Sequence, residues 1–201
     1  MKNLKLMCVV LLLTLAGCAT SKITTSWKAK NVPPKKYDKI LVLGLINDKD
    51  RRIQERMEQH FVGDLTDMGY VAISALQEYG PKAFDSLTEK QALEKIKTSG
   101  VDAVVTIVLL DKQKEDQYIP AEVLYSRNFW GYYGSRHSVI FEPGYYISGT
   151  RYFWESNFYD MTNQELSYSV QTQSFSPKNI ESMGHEYGLM IVKSMKKEKI
   201  L

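Results

Sequence analysis

At 201 residues, with 26 basic and 23 acidic side chains and a net charge of +3, the chain suits one domain with a sizeable core. It is too evenly charged to point to nucleic acid as a partner. Its two cysteines, Cys8 and Cys18, both fall near the start of the chain, which leaves no pair for a disulfide in the folded part.

Lys2 and Lys5 open the chain, a mostly apolar run follows from Leu6 to Leu15, and Ala16 and Gly17 precede Cys18. That layout marks residues 1–17 as a secretory signal peptide. The run is too short to cross a bilayer stably as a helix, which takes about 20 residues. The stretch Leu15-Ala16-Gly17-Cys18 resembles the lipobox of bacterial lipoproteins. The resemblance implies that Cys18 carries acyl chains such as palmitate and becomes the mature N-terminus. Each buried methylene contributes about 0.8 kcal/mol, so two or three chains hold a membrane firmly where one is marginal. Ala19 follows, where an aspartate goes with inner-membrane retention in enterobacterial lipoproteins. Its absence implies the outer membrane, with the domain facing the periplasm or the cell surface. Removing residues 1–17 takes away two lysines and no acid, leaving 24 basic and 23 acidic residues among 184.

Residues 18–37 hold Lys22, Lys28, Lys30, Lys35 and Lys36, no acid, and the Pro33-Pro34 pair, the composition of a basic tether. A second reading stays open, because Ile23 to Trp27 has strand propensity and can add an edge strand to the domain.

The domain itself is expected over residues 38–201. Lys39 to Ile46 is a short continuous apolar run, as in a strand buried on both faces. With Asn47 or Asp48 as cap, Ile53, Met57, Phe61, Leu65 and Met68 form one stripe of a helix that Gly69 ends. A strand at Tyr70 to Ser74 and a looser stretch through Gly80-Pro81 follow. A second helix is predicted from Thr88, with Gln91 completing a capping box, to Gly100. Val101 to Leu110 is the second buried strand. Strand-helix-strand-helix-strand with short links implies parallel pairing. Parallel sheets bind ligands at the carboxyl ends of their strands, which directs attention to Gly44, Asn47, Asp48 and Asp111. No nucleotide-binding glycine motif stands there.

Composition changes after this half: 15 of the chain's aromatic residues lie between Tyr118 and Tyr168. Residues 118–150 read as an aromatic-rich insertion. Within it, Phe129, Trp130, Tyr132 and Tyr133, broken by Gly131 and Gly134, suit a hairpin or loop that presents a partner surface. Tyr152 to Asp160 and Leu166 to Gln173 form an antiparallel hairpin about the turn at Thr162-Asn163-Gln164. Ser176-Pro177 is expected to start the last helix, whose stripe is Ile180, Met183, Tyr187 and Ile191. The expected fold is thus α/β: a two-layer or three-layer mixed sheet, with a parallel β-α-β-α-β half, an antiparallel hairpin and a C-terminal helix. In its lipobox, first buried strand, segment 100–110, hairpin and last helix, the chain resembles small envelope lipoproteins similar to the N-terminal domain of TolB and to the activators of penicillin-binding proteins.

His60, His137 and His185 are the histidines, and none stands in a zinc or nucleophile motif. No catalytic residue, metal or cofactor is assigned. The expected role is non-catalytic: a lipid-anchored protein presenting a binding surface to an envelope protein or to peptidoglycan. One alternative makes residues 118–150 an oligomerising or membrane-inserting hairpin, similar to that of curli-secretion lipoproteins. The other is a hydrolytic enzyme using His137 or His185.

Overall fold

The computed structural model describes residues 21–30, 32, 35–81, 84, 86–119, 130, 133 and 145–201. Cys18, Phe129, Tyr132 and His137 lie outside them, as does most of the 118–150 insertion. The elements are β1 (Ser21–Lys28), β2 (Ile40–Leu45), a 3-10 turn (Asp48–Asp50), α1 (Arg51–Asp67), β3 (Ala72–Ser74), α2 (Ala75–Tyr79), α3 (Glu89–Thr98), β4 (Ala103–Ile119), β5 (Tyr145–Asp160), β6 (Glu165–Phe175) and α4 (Ile180–Lys197). They build one six-stranded mixed sheet in the order β1-β6-β5-β4-β2-β3. The β3, β2 and β4 strands run parallel, and β4, β5, β6 and β1 run antiparallel to their neighbours.

The alternation of side chains along the strands decides which helix covers which face. Ile40, Val42, Val105, Ile107, Trp154, Phe158, Tyr168 and Val170 point to one side and pack with Met57, Phe61 and Leu65 of α1 and Met183, Tyr187, Ile191 and Met195 of α4. Leu41 and Val104 point to the other, against Ala75 of α2 and Ile96 of α3. The parallel half therefore has three layers and the hairpin half two. Two polar links lie inside the larger core: Ser156 Oγ with the Tyr187 hydroxyl, and Tyr168 hydroxyl with Ser194 Oγ, each at 2.7 Å.

Helix ends follow the capping chemistry with two changes from expectation. Thr88 and Gln91 make the predicted capping box of α3, and Gly69, at φ +90, donates its N–H to the Thr66 carbonyl just past α1. Asn47, however, opens the 3-10 turn, its Oδ1 accepting from Lys49 N, and α1 begins only at Arg51. At the last helix the cap is Asn179, whose Oδ1 accepts from Ser182 N at 2.7 Å, and not Ser176. Ser176 sits at φ +43 with its N–H bound to the Thr150 carbonyl, so the chain is still tied to β5 there.

Residues of the basic tether join the sheet. Ser21–Lys28 pairs antiparallel with β6 from Ser21↔Ser174 to Lys28↔Tyr168, with a bulge near Thr24. The edge strand left open by the sequence is the arrangement seen. Further on, Val32 packs against the main core, Lys35 Nζ binds Asp160 Oδ1 at 2.8 Å, and the buried Tyr37 ring meets Phe158 edge-on at 5.1 Å.

β4 and β5 are much longer than expected. β2 accompanies β4 only to Val108, and β6 accompanies β5 only from Arg151. Beyond a bulge between Leu109 and Asp111, Lys114–Ile119 and Tyr145–Thr150 pair with each other and with no other described strand. The result is a two-stranded arm standing out from one end of the sheet. Bulges bend and twist a ribbon in this way. Phe175 braces its base, lying over Gly149, where a Cβ would meet the ring at 2.8 Å.

Candidate functional site

The carboxyl ends of the parallel strands hold a plug in place of the ligand crevice that a parallel sheet leads one to expect. Glu58 of α1 is fully buried there. Its Oε1 accepts from Gly44 N at 2.9 Å and from Gln54 Nε2 at 3.0 Å, and its Oε2 accepts from Ser74 Oγ and Leu76 N. Gln54 also donates to the Gly44 carbonyl. Gly44 has to be glycine at this spot, because a Cβ would stand 2.7 Å from Gln54 Cγ and 2.8 Å from Glu58 Oε1. Four donors satisfy the buried carboxylate, and it in turn ties β2, β3 and the start of α2 to α1. Asp111 is occupied locally, accepting from Lys112 N and Gln113 Nε2. Sequence reasoning missed the plug, yet its signal was present: Gln54 and Glu58 are polar residues four apart inside the apolar arc of Ile53, Met57 and Phe61.

The structure brings two of the three histidines together. His60 of α1 and His185 of α4 have ring centroids 6.1 Å apart. His185 Nδ1 lies 3.1 Å from Asp64 Oδ1, and His60 Nε2 lies 3.3 Å from Glu181 Oε2, while Arg56 Nε lies 3.2 Å from Glu181 Oε1. Burial pushes the Asp64 carboxyl above its ordinary value, and the charges of His185 and His60 oppose that rise. The close crossing of the two helices comes from Gly184 and Gly188, whose added Cβ atoms would meet His60 Cδ2 at 2.8 Å and Asp64 Oδ2 at 2.3 Å. Among the described residues no group of three or more His, Cys, Asp or Glu is placed to hold a metal ion.

The arm supplies the remaining chemistry-bearing surface. On one of its faces Tyr118 and Tyr146 are register partners with centroids 5.1 Å apart; on the other stand Tyr145 and Ile147. Tyr146 is 70% and Tyr145 63% exposed. Charges gather nearer the base, where Arg151 pairs with Glu115 and Lys112 with Asp50. The hydrogen bond to Arg151 holds the Glu115 carboxyl below its ordinary range. Of the four residues assigned to a partner surface, Trp130 is 76% and Tyr133 50% exposed, with rings edge-to-face at 6.1 Å.

No family model matches the chain, and no curated protein does. Among solved structures, the PelC dodecamer from Paraburkholderia phytofirmans resembles 86% of this chain with 94% of its own, at 12% identity and a TM-score of 0.45. Lipoprotein GNA1162 from Neisseria meningitidis resembles 80% of this chain with 96% of its own, at 16% identity and a TM-score of 0.40. Overlap at this level transfers neither residues nor an activity. No helix among the described residues is long and apolar enough to cross a membrane.

Proposed function

We propose that this protein is a lipid-anchored envelope protein that performs no chemistry of its own and presents a binding surface to another envelope protein or to peptidoglycan. The anchor is Cys18, read from the lipobox and from the short signal-like run before it. The outer membrane, and kinship with TolB-like and penicillin-binding-protein-activator lipoproteins, belong to the same proposal and rest on the sequence features that suggested them.

The observation that carries the binding role is the exposure of Trp130 and Tyr133, large rings with polar tips, at 76% and 50%. Such residues dominate the binding energy of protein interfaces. Supporting it, the strand ends that would hold a ligand in a parallel sheet are filled by Glu58 and Gln54.

The test is a photo-crosslinking side chain at position 133 in living cells, with Glu94 on α3 as control. A discrete adduct from position 133, lost in Trp130→Ala and absent from position 94, is expected. Equal labelling from both positions, or none from either, would remove the partner surface. Membrane partitioning of Cys18→Ser that matches the parent would remove the anchor.

A further inference from the structure

We infer that the outer edge of β1 takes an extended, acidic segment of a partner protein as a further strand of the sheet. The inference concerns a surface apart from Trp130 and Tyr133, and it holds whether or not Cys18 is acylated. β1 ends the sheet on its side: β6 pairs with one of its edges, and no described strand lies against the other. Ala29, next in register after Lys28↔Tyr168, donates to the Ser167 carbonyl. Backbone groups along an antiparallel strand alternate between facing the neighbour and facing away, so the N–H and C=O groups of Ser26 and Lys28 turn outward. The opposite edge of the sheet offers no such row, because β3 is three residues long and runs straight into α2 at Ala75. An open edge is a template on which an extended peptide can add by main-chain hydrogen bonds. β1 contains no proline, and its bulge leaves Thr25 to Lys28 in regular pairing.

Charge selects the occupant. Lys22 and Lys28 stand in β1 and Lys30 just beyond it, and no acid falls between Ser21 and Lys30. Lys28 Nζ donates to the Glu198 carbonyl, which sets the end of β1 beside the end of α4, where Lys196, Lys197 and Lys199 are exposed. A strand carrying Asp or Glu would therefore meet cations along this edge, and opposite charges across a strand pair stabilise it. A second copy of β1 is the wrong occupant. Paired antiparallel about Ser26, two such strands would bring Lys22 and Lys30 together at both ends, and like charges placed opposite one another destabilise a pair. Apolar contact is available on both faces of the sheet. Ile23 lies across from Thr172 and Trp27 across from Ser169, positions an odd number apart on β6, so the two side chains point to opposite faces. They are 36% and 51% exposed, open to cross-strand neighbours on an added strand.

The test uses the full chain and a fluorescent synthetic peptide of alternating threonine and glutamate, with the peptide of alternating threonine and lysine as control. Binding is read by fluorescence anisotropy at low and high salt, and the Ser26 and Lys28 amides are followed by hydrogen exchange. The acidic peptide should bind saturably and more weakly as salt rises, and the basic one should not bind. The two amides should exchange freely in the protein alone and slow when the acidic peptide is present. Ser26→Pro removes an outward N–H and no bond to β6, a change that an edge strand tolerates; it should keep the unfolding midpoint and lose the peptide. Lys22→Glu with Lys30→Glu should weaken binding about tenfold, and this variant with the exchange data decides the matter if the proline variant does not fold. Absence of binding overturns the inference. So does binding that survives Ser26→Pro with both amides exchanging as before, which would show adhesion to surface lysines only. Amides already slow in the free protein also overturn it, because the edge is then covered by this chain or by a second copy, and dilution tells which.

Discussion

Two glycines on the paired helices show how differently one residue type acts by position. Gly63 of α1 has nothing within 4 Å of where its Cβ would be, and Gly188 of α4 would place one 2.3 Å from Asp64 Oδ2 and 3.2 Å from Phe61 Cα. Alanine lowers the entropy cost of a helical position by about 0.5–1 kcal/mol, so Gly63→Ala is expected to stabilise by that much. At Gly188 the same gain is outweighed by overpacking of about 1–3 kcal/mol, and Gly188→Ala is expected to destabilise. Urea midpoints with unchanged slopes would show both effects. At Asp160, burial raises the carboxyl and the bonds from Lys35 and Thr162 more than offset it, so the folded group titrates below its ordinary value. A depressed carboxylate stabilises the fold at neutral pH and loses that contribution as pH falls through the folded value. Asp160→Asn should therefore cost about 1 kcal/mol at neutral pH, with the gap to the parent closing below about pH 4. A gap that stays constant on acidification would show that the Lys35 ion pair is not its source. Tyr37 belongs to the same corner: burial, Asp160 and Asp102 push its hydroxyl up to about 12.

The elements themselves differ in how plainly the sequence announced them. β2, α1, α3, β6 and α4 were legible because each buries one face or both, and burial writes a period of two or of 3.6 into the chain. The arm was not. Asp111 to Gln117 has no apolar alternation, because no described element covers either face of the arm, so a strand formed there leaves no pattern to read. The meeting of His60 with His185 was equally hidden, since it depends on how α1 crosses α4, which two glycines set. β1 stood between these cases, with strand propensity visible and the pairing partner unknown. Its role gives a prediction at this scale. A chain beginning at residue 38 loses the β1–β6 pairing, the Lys35 ion pair and the buried Tyr37 ring. Burial of the ring alone contributes about 1.5–3 kcal/mol, and the bare edge of β6 is a template for association. Compared with a chain beginning at residue 21, it should unfold at lower denaturant and scatter light when concentrated. Matching midpoints and clear solutions would show that β1 adds nothing to the domain.

For the molecule as a whole, the proposed anchor at Cys18 would be joined to the fold with little slack. The seven paired positions from Ser21 to Lys28 hold the chain to β6 immediately after the residues that lead to Cys18. Ladder hydrogen bonds lie across the strand axis, so tension on the anchor that runs along β1 falls on all of them together, as on a lap joint. Pulling the same strand from the Lys28 side and at right angles would instead open the bonds one after another. An anchor at Cys18, as proposed, would therefore load the protein in its strong direction. Single-molecule extension from residue 18 along the strand should give a higher rupture force than extension that peels β1 away from Lys28. The β1 pairing, in a stretch that composition presents as a loose spacer, would act mechanically as the fixing by which the folded domain hangs from the membrane of the proposed anchor.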